Sequence, residues 1–201
     1  MLFLGVLGAL SGALGWLLPF APLGLPRAVR EIHLHDAFAP LHVPLVFAAA
    51  LAIGLRRWER TGPPGLLLVA LLTVAGWLLA VNLTVHGGNG LERLLAAAGG
   101  ARAWWGGTLV TMPIAGGLGG LAGAGAIAAG MALVSARCRR RPVIAWTVLL
   151  GALVGAVFLN PYLLVGRSVA PRFVFLYVLW QAAVAGSLGR ALAGRAHRGS
   201  G

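Results

Sequence analysis

Thr61–Leu91, TGPPGLLLVALLTVAGWLLAVNLTVHGGNGL, contains no Asp, Glu, Lys or Arg. It opens on Gly62-Pro63-Pro64-Gly65, the end of a turn with strong breakers that begins at Arg56, and closes on the breaker-rich His86-Gly87-Gly88-Asn89-Gly90. Between them, about Leu66–Val85 reads as one helix of the ~20 residues needed to cross the hydrocarbon core of a bilayer. A stretch this long and this free of charge is membrane sequence, and it sets the reading of the rest.

Five more runs share the property: Met1–Pro26, Ala37–Leu55, Ala103–Ala136, Pro142–Gly166 and Phe173–Gly189. At 59% hydrophobic and 10% charged residues, the chain is too apolar for a soluble domain. The expectation is an all-α, polytopic bundle of six transmembrane helices over residues 1–189, followed by a short basic tail, 190–201. The first run has no basic n-region and an apolar part longer than an ordinary signal peptide, so it reads as a retained helix. A short helical segment, Leu91–Ala98, is expected at the bilayer surface. Trp104-Trp105 mark re-entry.

The net charge of +12 comes entirely from arginine, which sits between the apolar runs. Arg56, Arg57, Arg60, Arg137, Arg139, Arg140, Arg141, Arg190, Arg195 and Arg198 fall in the even-numbered gaps and the tail. The odd-numbered gaps hold only Arg27, Arg30, Arg93, Arg102, Arg167 and Arg172. Ten against six predicts, by the positive-inside rule, that both termini are cytoplasmic. This distribution accounts for the charge as topology and leaves no nucleic-acid surface to assign. The compartment expected is a bacterial inner or plasma membrane. The single cysteine, Cys138, excludes an internal disulfide and a cysteine metal motif.

Within the spans, Gly116/Gly120 and Gly119/Gly123 are small-xxx-small pairs that allow close helix approach. Asn82, Thr84, Asn160 and Gln181 are expected to tie helices by hydrogen bonds. No acidic residue lies at the centre of a span, which argues against ion-coupled transport. The absence of lysine excludes a retinal Schiff base. The chemistry-bearing residues cluster instead in Glu31–Arg60, EIHLHDAFAPLHVPLVFAAALAIGLRRWER. His33, His35, Asp36 and His42 are types suited to a transition metal or to axial haem ligation. Asp36 beside His35 is placed to orient an imidazole and help hold a cation. A polar cap with solvated histidines is the plain alternative.

Two family resemblances follow from these residues. Gly8-Ala9-Leu10-Ser11-Gly12, His35-Asp36-Ala37-Phe38, His42, Arg57-Trp58-Glu59-Arg60-Thr61-Gly62, Asn82-Leu83-Thr84 and Gly90-Leu91-Glu92-Arg93 occur in that order. Over roughly residues 5–135 the chain resembles the later helices of haem–copper oxidase subunit I. The loop before His42 is one residue short, and Pro44 stands where that family has its second histidine. The family's earlier helices, with the copper ligands, have no counterpart here. The resemblance implies an accessory or divergent respiratory-complex protein, with other subunits of such a complex as partners. Haem would meet His42, joined by His86 if the second and third helices are neighbours; a divalent metal or a propionate would meet His35, Asp36 and His33. No catalytic residue is implied.

The second resemblance is to rhomboid proteases. Gly123-Ala124-Gly125-Ala126-Ile127 and Trp180-Gln181-Ala182-Ala183 are similar to their nucleophile and base segments, with alanine at both reactive positions. That implies a non-catalytic protein that binds membrane helices, since neither serine nor base remains. An uncoupled small-solute permease is the third expectation.

Overall fold

The computed structural model describes residues 2–17, 33–34, 37–38, 41–99, 103–158 and 169–194. These form α1 (Leu2–Leu17), the two-residue strands β1 (His33–Leu34) and β2 (Ala37–Phe38), α2 (His42–Glu59) and α3 (Pro63–Asn82). A π-helical turn (Leu83–Gly87) then leads directly into α4 (Gly88–Gly99), followed by α5 (Ala103–Val134), α6 (Arg141–Phe158) and α7 (Val169–Ala193). β1 and β2 pair antiparallel, with His33 opposite Phe38.

Because α3, the π turn and α4 are continuous, the helical segments among the described residues make six rods, and each packs on the next to close a ring. The order around it is α1, α2, α3, α5, α6, α7 and back to α1. α7 also touches α2 and, over a smaller area, α5, so it closes the middle. Among the described residues, three helical stretches are long and apolar enough to cross a membrane: Pro63–Ala97, Thr111–Val134 and Phe175–Ala193. Leu2–Gly15 and Arg141–Val157 are shorter apolar helices.

Local chemistry explains the ends of the elements. α2 places Pro44 in its first turn, where a missing N–H costs least. It stops at Arg60, which takes a left-handed φ of 51° that bulky side chains rarely adopt. Gly62 precedes Pro63 and Pro64, and Pro63 starts α3. Three expectations are corrected here. The segment 86–90 does not break the helix, because the π turn absorbs one register change and Gly88 then packs in contact with Ala115 of α5. Leu91–Ala98 accordingly continues the third rod and lies along α5. α7 runs past Gly189 to Ala193, since Arg190-Ala191-Leu192-Ala193 are good helix formers and Leu192 is fully buried.

Glycine sets how close the rods come. A Cβ on Gly12 of α1 would lie 2.6 Å from the Tyr177 carbonyl oxygen of α7. On α5 the two small-residue pairs serve different neighbours: Gly116 and Gly120 face Gly155 and Gly151 of α6, while Gly119 and Gly123 face Ala80 and Gly76 of α3. The core at the ring's centre is built from Leu4, Phe47, Leu51, Ile127, Met131, Trp180 and Leu188. Trp180 donates its indole N–H to the Gly151 carbonyl at 3.1 Å and meets Phe47 edge-on, with centroids 6.1 Å apart.

Candidate functional site

The chain direction puts the start of α2 and the end of α3 at one end of the bundle, here the histidine end. His42 opens α2, and its Nε2 lies 2.7 Å from the Gly15 carbonyl oxygen near the C-terminus of α1. The last carbonyls of a helix lack intrahelical donors, so the imidazole satisfies one of them. α1 comes close because Gly15 has no side chain: a Cβ there would lie 3.3 Å from Val43. With Nε2–H donating to the Gly15 carbonyl, Nδ1 is the nitrogen that carries the ring's lone pair.

His86 stands in the π turn at the same end and is exposed. The backbone of His33 lies in β1; His35 and Asp36 fall outside the described residues. Among the described residues no three His, Cys, Asp or Glu side chains are grouped to hold a metal ion.

The polar residues expected to tie helices divide. Gln181 does so: Ser11 Oγ of α1 lies 2.5 Å from its Oε1, and the same hydroxyl reaches the Gly8 carbonyl at 2.8 Å. Thr84 reaches the Ala115 carbonyl of α5 at 3.4 Å. Asn82 instead donates to Leu78 within its own helix, at 2.8 Å, and Asn160 lies outside the described residues. Close to Gln181, Trp77 of α3 stacks edge-on with Tyr177 of α7 at 5.1 Å. The Gln181 amide nitrogen and the Trp77 indole nitrogen are both buried without a hydrogen-bond partner among the described residues.

The opposite, arginine end holds a cluster that the sequence pattern did not single out. Glu59, at the end of α2, pairs with Arg137 at 3.3 Å and accepts from Ser135 Oγ at 3.0 Å. Arg137 reaches across to the Leu192 carbonyl at 2.5 Å, so one guanidinium joins the α5–α6 turn to α2 and α7. The visible signal was a lone glutamate among Arg56, Arg57 and Arg60, facing the densest arginine run in the chain. Nearby, Arg57 lies 5.0 Å from the centre of the Phe3 ring, a cation–π contact that holds α1 to α2.

Cys138 is enclosed in this cluster. Burial pushes its thiol from 9.0 up to about 11, and Glu59 adds to the rise; the Ser135 hydrogen bond and Arg137 oppose it. The neutral thiol therefore favours the fold fully below pH 9, and that contribution is lost as pH rises through about 11. Two pKa steps predict that maleimide reacts with Cys138 of the folded protein about a hundredfold more slowly near pH 8 than after unfolding in dodecyl sulfate. Equal rates in the two states would show that Cys138 is not enclosed.

No protein-family model, curated protein or solved structure matches the chain.

Proposed function

We propose that the chain is a six-span protein of a bacterial inner or plasma membrane, with both termini cytoplasmic and the histidine end outward. It acts as an accessory or divergent respiratory-complex protein of the haem–copper oxidase subunit I type and is not a complete oxidase by itself. The observation that carries this reading is His42. Its Nε2 is held by the Gly15 carbonyl at 2.7 Å, the kind of backbone partner that fixes the orientation of a ligating imidazole. His42 and His86 would hold haem at the outer end, while His35, Asp36 and His33 would hold a divalent metal or a propionate. Haem, when bound, would supply one-electron chemistry. The chain's own part is to fix one imidazole tautomer and keep the site at the mouth of the ring. A non-catalytic rhomboid-like protein that binds single membrane helices is the second reading. It is favoured by one contact: a Cβ on Gly123 would lie 3.2 Å from the Trp180 ring, joining the two segments that carry that resemblance.

The test compares wild type with His42→Ala and His42→Gln. Glutamine keeps an N–H donor for Gly15 but has no imidazole. Both variants are expected to lose bound haem in a pyridine haemochrome assay, and only the alanine variant also to lose about 1 kcal/mol of stability. Wild type without haem or metal, or both variants binding as wild type does, overturns the haem reading. Recovery of single-span proteins rather than respiratory subunits in a pull-down then favours the second. For topology, Ala136 is exposed beside the enclosed Cys138, so Ala136→Cys in a Cys138→Ala background is expected to be labelled only from the cytoplasmic side.

A further inference from the structure

We propose that the groove between α5 and α6 at the arginine end binds one anionic phospholipid, with an acyl chain in the groove and the phosphate on Arg140 and Arg141. The groove has a volume of about 450 Å³ and is walled by Leu121 of α5 and Ile144, Val148, Leu149 and Ala152 of α6, with Arg141 at its mouth. Its wall is hydrocarbon apart from that one arginine, so an apolar chain with an anion at one end matches it along its length.

Three observations select this occupant. The first is depth. From Arg141 to Ala152 the α6 axis advances about 16 Å at ~1.5 Å per residue, close to one leaflet of a ~30 Å hydrocarbon core. A chain lying along the groove thus brings its own headgroup to Arg141.

The second is unspent charge. Arg140 and Arg141 are exposed, and among the described residues neither has an ion-pair partner. Glu59 is taken by Arg137 and Ser135, and Glu92 is at the other end of the bundle, where Thr111 donates to it. Basic groups at the mouth of an interhelical groove recognise anionic headgroups in this way.

The third is a fixed position for the arginines. Arg139 is bound through Nε to the Ala132 carbonyl at 3.1 Å, and Val143 and Ile144 donate their N–H groups to the Arg140 carbonyl. The turn that carries Arg140 and Arg141 is therefore set against the end of the groove. Trp146, 59% exposed and just over one turn further along α6, suits the interface at that depth. The proposal does not depend on the histidine site, and it holds for whichever leaflet the arginine end meets.

The experiment places the full-length protein in nanodiscs of equal parts phosphatidylglycerol and phosphatidylcholine. The lipid that stays bound after mild detergent extraction is then measured by native mass spectrometry. Wild type is expected to keep phosphatidylglycerol in preference to phosphatidylcholine. Arg140→Gln/Arg141→Gln is expected to lose that preference by roughly thirtyfold, taking about 1 kcal/mol per arginine near a membrane surface. Ala145→Phe narrows the groove from an exposed position with both arginines intact, and is expected to lower phosphatidylglycerol retention as well. Size-exclusion profiles identical to wild type establish that both variants are folded. Equal retention of the two lipids by wild type, or an unchanged preference in the double variant, overturns the headgroup assignment. Unchanged retention in Ala145→Phe overturns the groove.

Discussion

Gly120→Ala is expected to destabilise the bundle, while Gly125→Ala, on the same helix, is expected to be neutral or mildly stabilising. A Cβ on Gly120 would collide with the Gly151 carbonyl oxygen, and it would lie 2.9 Å from the Gly151 carbonyl carbon and 3.3 Å from Ala152 Cα. All three are backbone atoms, so no side chain can rotate aside and α5 must separate from α6. Overpacking of this kind costs about 1–3 kcal/mol, and more where the neighbour is rigid. Gly125 has nothing within 4 Å of its Cβ position. There alanine contributes only its helix preference, about 0.5–1 kcal/mol. Thermal midpoints in a mild detergent compare the two directly. Gly120→Ala as stable as wild type would show that α5 and α6 do not cross there.

Trp180→Ala is expected to cost about 3–5 kcal/mol, the usual range for removing a large buried aromatic. The ring fills the centre of the six rods: it meets Phe47 of α2 edge-on, touches the open face of Gly123 of α5, and bonds to Gly151 of α6. On the α5 and α6 sides little can collapse into that space, because Gly123 and Gly151, which admit the indole, have no side chain to move. Trp180→Phe separates packing from hydrogen bonding. It keeps most of the volume but leaves the Gly151 carbonyl without its indole donor, for a loss of about 1 kcal/mol. Unfolding measured by controlled denaturation in mixed micelles checks both. A loss below about 1 kcal/mol for Trp180→Ala would mean that the centre of the bundle is elsewhere.

The histidines of Glu31–Arg60 show how far sequence pattern reaches toward a site. His33, His35, Asp36 and His42 were visible as ligand types in a short polar stretch. The pattern did not disclose that His42 is already engaged by Gly15, 27 positions earlier, because a helix carbonyl left without a donor is invisible until the two helices are brought together. The Glu59 cluster was hidden for the same reason. Its bond to Ser135 spans 76 positions, and no local rule distinguishes Arg137 as its partner from the other arginines of that run.

What the sequence determined by itself is what depends on one residue at a time. Transfer of each side chain from water to hydrocarbon sums along a segment, so the apolar runs, their arginine borders and the breakers at Gly62-Pro63-Pro64-Gly65 could be read directly. The small residues at 116, 119, 120 and 123 were equally visible as permission for close packing. Only the tertiary structure decided that Gly116 and Gly120 serve α6, that Gly119 and Gly123 serve α3, and that Ser11 meets Gln181 across 170 positions. It also decided that Gly87-Gly88 continue a helix, because Gly88 rests against Ala115. In a bilayer the surrounding lipid is as apolar as the helix faces, so hydrophobicity does not choose partners; shape and the few buried hydrogen bonds do, and both belong to pairs of helices rather than to any one stretch of chain.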